Sequence, residues 1–127
     1  MAKKTNNLGK FGEDAAVKYL KKMRYKILDR NFQNNSGRRI GEIDIIARDP
    51  QEKELVFVEV KTRQYPKFKD TNPEENITYI KMKRLTRIAN VYLKSKHWED
   101  SKYRFDAISV WLEPSSKKAK IKHIFSL

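Results

Sequence analysis

The 127-residue sequence predicts a single α/β domain, a mixed β-sheet of about five strands flanked by helices. Three observations carry this. Two stretches, Leu8 to Met23 and Ile77 to Leu93, repeat apolar residues at steps of three and four, the period of a helix packed on one side. Other stretches are rich in β-branched and aromatic residues and bounded by turn formers, as strands are. Their order is helix, three strands, helix, two strands. The length suits one domain over residues 1–127, given roughly 100 to 200 residues per domain.

Asn6 or Asn7 is placed to cap the first helix, whose stripe is Leu8, Phe11, Ala15, Tyr19 and Met23, widened by Ala16 and Leu20. Glu13 falls at the edge of that stripe, beside Leu20. An acid there either looks into a cleft or simply favours the helix dipole, and position alone does not separate the two. Tyr25 to Phe32 alternates as a first strand, with Tyr25, Ile27 and Asp29 on one side and Lys26, Leu28 and Arg30 on the other. Gln33 to Arg39 is a loop, and its Arg38 and Arg39 either touch a backbone phosphate or are merely solvated.

Ile40 to Ala47 and Glu54 to Lys61 read as a hairpin turning at Asp49 to Lys53. Alternation puts Leu55, Phe57, Glu59 and Lys61 on one face, opposite Val56, Val58 and Val60. In the partner strand Glu42, Asp44 and Ile46 share a face, opposite Ile43, Ile45 and Ala47. Asp44 and Glu59 converge if the register allows. Carboxylates at strand positions amid apolar surface are costly unless paired or bound to a metal. Two acids beside a lysine suit phosphodiester hydrolysis: the acids hold a hard cation and polarise water, and the lysine stabilises developing negative charge.

After Lys61 the chain reads as a loop through Asn76. Its Arg63, Lys67 and Lys69 lie among Tyr65 and Phe68, cations with stacking groups that suit single-stranded or distorted nucleic acid, or else a solvated loop with some aromatic packing. The second helix, Ile77 to Leu93, packs Ile77, Ile80, Leu85, Ile88 and Leu93 and carries Lys81, Lys83, Arg84, Arg87 and Lys94 on its remainder. That basic face meets phosphate or is only solvated. Tyr103 to Leu112 is the next strand, with Asp106 on its more apolar side, where an ion pair with an arginine is the expected role. Lys120 to Phe125 closes the sheet as an edge strand, with His123 expected to be exposed.

Lys and Arg number 29 against 16 Asp and Glu, a formal charge of +13, so nucleic acid is the first partner to expect. Absence of cysteine excludes a disulfide framework and thiolate metal sites, and two histidines exclude a zinc finger. Neither a signal peptide nor an apolar run long enough to span a membrane is present, so a cytoplasmic protein is expected.

The spacing of Asp44, fifteen positions before Glu59 and seventeen before Lys61, resembles the PD-(D/E)xK nuclease signature. With Gly9, Gly12, Glu13 and Ala16, then Gly41-Glu42-Ile43-Asp44, Phe57-Val58-Glu59-Val60-Lys61, Lys81 and Arg104-Phe105-Asp106, the chain resembles the YraN-like family over nearly its whole length. That family is related to archaeal Holliday-junction resolvases. The resemblance implies a restriction-endonuclease-like fold and a Mg²⁺- or Mn²⁺-dependent endonuclease acting on structured or branched DNA. It implies Asp44 and Glu59 as metal ligands, Glu13 as a third carboxylate of the metal shell, Lys61 as the catalytic lysine and Lys81 as a grip on the scissile phosphate. Resolvases cut a symmetric junction twice, which makes a homodimer the implied unit. The alternative is a non-catalytic basic nucleic-acid-binding module on the same fold. A ribosome-associated basic protein explains the charge but leaves the acids without a reason.

Overall fold

The computed structural model describes residues 2–33, 41–64, 78–113 and 118–127. The chain runs α1 (Ala2–Lys22), β1 (Lys26–Gln33), β2 (Glu42–Arg48), β3 (Leu55–Gln64), α2 (Tyr79–Lys96), β4 (Tyr103–Glu113) and β5 (Lys118–Ile124). The strands form one mixed sheet in the order β1-β2-β3-β4-β5, antiparallel except for the parallel β3–β4 pair that α2 connects. This is the α/β arrangement expected from the sequence, consistent with a nuclease-like fold. No helix of the described residues is long and apolar enough to cross a membrane.

Each face of the sheet carries its own core. On one side Val56, Val58, Ile108 and Val110 meet Ala16, Val17 and Leu20 of α1; on the other Leu55, Phe57 and Phe105 meet Leu85, Ile88, Ala89, Tyr92 and Leu93 of α2. The period-two alternation of β3 and β4 sorts their residues between the two layers. Thr78 caps α2 by accepting a hydrogen bond from the Lys81 backbone N–H at 3.1 Å, and His97, at φ 60°, ends it.

Several expectations are corrected. Helix α1 begins at Ala2, so Asn6 and Asn7 lie inside it; Ala and Lys upstream offer nothing to break a helix. Its buried stripe is Gly12, Ala16, Val17 and Leu20, whereas Phe11 (66% exposed), Met23 and Leu8 face outward. Small residues win because α1 lies close to β3: a Cβ added to Gly12 would fall on the Thr62 side chain. In β1 the register shifts between Ile27 and Asp29, which turns Asp29 to the α2 side, where the Tyr92 hydroxyl donates to it at 2.8 Å. Asn31 then adopts φ 53°, and past it Phe32 and its partner Ile43 join the α2-side cluster instead of following Arg30 and Ile45. Strand β3 continues to Gln64 because β4 pairs with it throughout, so Arg63 is a strand residue and not part of a loop. Arg38, Arg39, Lys67, Tyr65, Phe68 and Ile77 lie outside the described residues.

His123 is also not an exposed strand residue; its side chain is only 4% exposed. It hydrogen-bonds with Asp106 through Nε2 at 2.8 Å and with the Tyr19 hydroxyl through Nδ1 at 2.9 Å. Asp106 is fully buried and paired with Arg104, as its face requires, at 3.0 and 3.2 Å. Arg104 also reaches Asp49 at 2.9 Å and Glu54 at 2.8 Å at the hairpin end. Burial pushes the Asp106 carboxyl up, but hydrogen bonds from His123, Arg104 and the Ser126 N–H outweigh it and hold the group below the ordinary carboxylate range.

Candidate active site

The β2–β3 ladder runs only from Arg48 and Leu55 to Ile45 and Val58. Beyond that point β2 stays with β1, whose pairing continues to Glu42, while β3 stays with β4. The sheet therefore divides at Asp44. Its carboxylate fills the division, accepting a hydrogen bond from the Val60 backbone N–H at 2.7 Å. Val60 stands between Glu59 and Lys61, so one side chain fixes the strand segment that carries both.

Asp44 is 8% exposed and Glu59 half-buried. Burial, and next the negative charge of Glu59, push the Asp44 carboxyl up to about 8; the Val60 hydrogen bond opposes the rise, and Glu13 adds to it. Lys81, from the first turn of α2, sits 3.8 Å from Glu59. Its ammonium is shifted down by burial and then by the neighbouring Lys61, against the attraction of Glu59 and Asp44. Two acids and two lysines from β2, β3 and α2 thus share one end of the sheet.

Glu13 approaches from the other layer. Asn31 donates to it at 2.9 Å and Arg30 lies 3.9 Å away, while Arg30 also pairs with Asp14 at 2.7 Å. Nothing in the sequence pointed to Arg30 and Asn31, because β1 carried no visible chemistry; the β1 irregularity at Asn31 accompanies their meeting with Glu13. Among the described residues no group of three or more His, Cys, Asp or Glu is placed to hold a metal ion. Next to Glu59 opens a cleft of about 440 Å³, lined by Lys81, Arg84, Ile80, Leu85, Ile88 and, from the β2 side, Gly41 and Glu42.

The model of the uncharacterised protein family UPF0102 matches residues 12–110. The chain belongs to that family. A UPF0102 protein of Caldicellulosiruptor saccharolyticus is 40% identical over 92% of this chain and 92% of its own. One from Pelobacter propionicus is 39% identical over 93% of this chain and 79% of its own, and one from Fusobacterium nucleatum 42% identical over 83% and 82%. The YraN-like resemblance read from the motifs is this same family.

In this UPF0102 chain the matched span begins at Gly12 and ends at Val110, so it contains Glu13, Asp44, Glu59, Lys61 and Lys81 together. Of the candidate nucleic-acid contacts, Lys81 and Arg84 line the cleft, and Arg63 follows Lys61 on the same face of β3. Lys83 does not join them: it projects from another side of α2, with its ammonium 5.9 Å from the Tyr79 ring centre.

Proposed function

We propose that this UPF0102 chain is a metal-dependent endonuclease hydrolysing phosphodiester bonds in structured or branched DNA, with a homodimer as the acting unit. The observation that carries the reading is the Asp44 and Glu59 pair at the division of the sheet. Folding brings two carboxylates together in a half-dry place at an evident electrostatic cost, and such sites are where chemistry concentrates. The donor chemistry fits Mg²⁺ or Mn²⁺, since hard carboxylate oxygens that repel one another are what such a cation relieves. Asp44 and Glu59 would hold it, and Glu13 would join them only by leaving Asn31. The cation would supply polarisation of water and phosphate.

The chain's own residues supply the rest. The Asp44 bond to Val60 N–H keeps Glu59 and Lys61 on either side in fixed relation to the acid. Lys61 and Lys81 present positive charge to a phosphate as negative charge builds on it, and their partial burial strengthens that attraction. Arg84, one turn beyond Lys81, extends the cationic side to a neighbouring phosphate.

One contact favours a second reading. Lys81 already neutralises Glu59 at 3.8 Å, an arrangement that suits a non-catalytic basic nucleic-acid-binding protein. The deciding experiment is cleavage of a labelled panel (four-way junction, flap, single strand, duplex, RNA) with Mg²⁺ or Mn²⁺, comparing the parent with Glu59→Gln. Cleavage by the parent alone supports the nuclease; binding with no cleavage under either metal supports the second reading.

A further inference from the structure

We infer that the cleft beside Glu59 receives one unpaired nucleobase next to the scissile phosphate, so that the preferred substrate is a nucleic acid with an unpaired nucleotide at the cut. The inference deepens the nuclease reading and rests on it for the position of the cut. The cleft holds about 440 Å³, near the small end of ligand pockets, which span roughly 300–1,000 Å³. That is room for a nucleotide and too little for a duplex.

Its walls are sorted by chemistry. Positions 80, 84 and 88 follow one another at single helical turns, with 81 and 85 alongside, so α2 turns one continuous side toward the cleft. Lys81 and Arg84 offer cations for phosphates. Leu85 and Ile88, 6% and 1% exposed, form an apolar floor. Ile80 stands at the mouth with 64% of its surface in water, although it is a large β-branched residue beside a packed core. A flat apolar face laid on Ile80 and the floor would remove that surface from water.

The β2 side of the cleft disfavours the sugar-phosphate chain. Glu42 lines it, its carboxylate held by the Gln33 side-chain amide at 3.1 Å, and a carboxylate there repels phosphate. Phosphates therefore belong on the Lys81 and Arg84 side and the base on the Ile80 side. Gly41, at φ 131°, lines the same side in a backbone conformation that L side chains rarely adopt. A base paired and stacked in a duplex does not reach such a cleft without being extruded, and extrusion costs least where the nucleotide is already unpaired.

The test is binding, read apart from cleavage. Fluorescence anisotropy in Ca²⁺ would compare a labelled duplex, the same duplex with one unpaired nucleotide, and the same bulge with its base removed. The unpaired nucleotide should tighten binding about 5- to 10-fold over the duplex, and removing its base should abolish the gain. Ile80→Ser, at an exposed position, should lose the same gain. Equal affinity for the three DNAs, or a preference that survives Ile80→Ser, overturns the inference alone. Absence of binding to all three overturns it together with the nucleic-acid reading. Base-dependent binding without cleavage of any substrate in Mg²⁺ or Mn²⁺ leaves the cleft assigned and removes the nuclease.

Discussion

The Asp44 carboxylate takes the Val60 backbone N–H at 2.7 Å, where β2 no longer reaches β3. A side chain that titrates thus stands in for a strand at the centre of the site, and its state of charge bears on both stability and chemistry.

The Asp44 carboxyl rises from 3.8 to about 8 on folding, so the folded chain holds that proton more tightly than the unfolded chain does. Its contribution to stability is therefore fully present below about 4 and is lost as pH rises to about 8. The melting temperature of the metal-free parent should fall across that window more steeply than that of Asp44→Asn. Added Mg²⁺ or Mn²⁺ should raise the parent's melting temperature at pH 8 and have little effect at pH 5. Parallel pH profiles for parent and variant would remove Asp44 as the cause.

Glu59→Gln should lower metal-dependent cleavage by roughly 100-fold or more, the scale on which single electrostatic groups act in active sites. DNA affinity should stay equal or rise, because a negative charge leaves the neighbourhood of the phosphate. Binding and single-turnover cleavage on the same junction or flap would separate the two effects.

Arg104→Met should cost about 3–5 kcal/mol, because it leaves the fully buried Asp106 without its guanidinium. Thermal unfolding would show it. The loss should shrink as pH falls toward the depressed pKa of Asp106, where the carboxylate takes up a proton and needs no cation.

Gly12→Ala should cost about 1–3 kcal/mol by forcing a methyl group onto Thr62, and should reduce cleavage as well because Glu13 moves with the helix. Adding Thr62→Gly should recover part of the stability. A double-mutant cycle on melting curves measures that coupling.

Much of this site is readable from local pattern. Alternation alone puts Leu55, Phe57, Glu59 and Lys61 on one face, and the structure has Leu55 and Phe57 packed toward α2 and Glu59 paired with Lys81 of that helix. The apolar face of β4 likewise demands a partner for Asp106, and Arg104 is that partner. What stays hidden is what breaks the period. The register shift after Ile27 and the positive φ of Asn31 reverse the faces of Asp29 and Ile43; asparagine tolerates that backbone, but apolar-polar alternation does not place the shift. The helical stripe of α1 misleads for another reason. Bulk marks Phe11 and Met23 as core, whereas close approach selects Gly12 and Ala16. His123 escapes because its partners, Tyr19 and Asp106, are 104 and 17 residues away.

The parallel β3–β4 pair bears on how the chain is made. Strand β3 meets β4 only after residues 79–96 have been synthesised and have crossed the sheet, so in the growing chain it is an open border. Its first half, Leu55 to Val58, would invite a stray strand. Glu59, Lys61 and Arg63 interrupt that invitation in the second half, because a foreign strand docking there would have to cover three charges. The residues proposed for chemistry in the finished molecule thus also place charge along the border of β3 that waits for its neighbour.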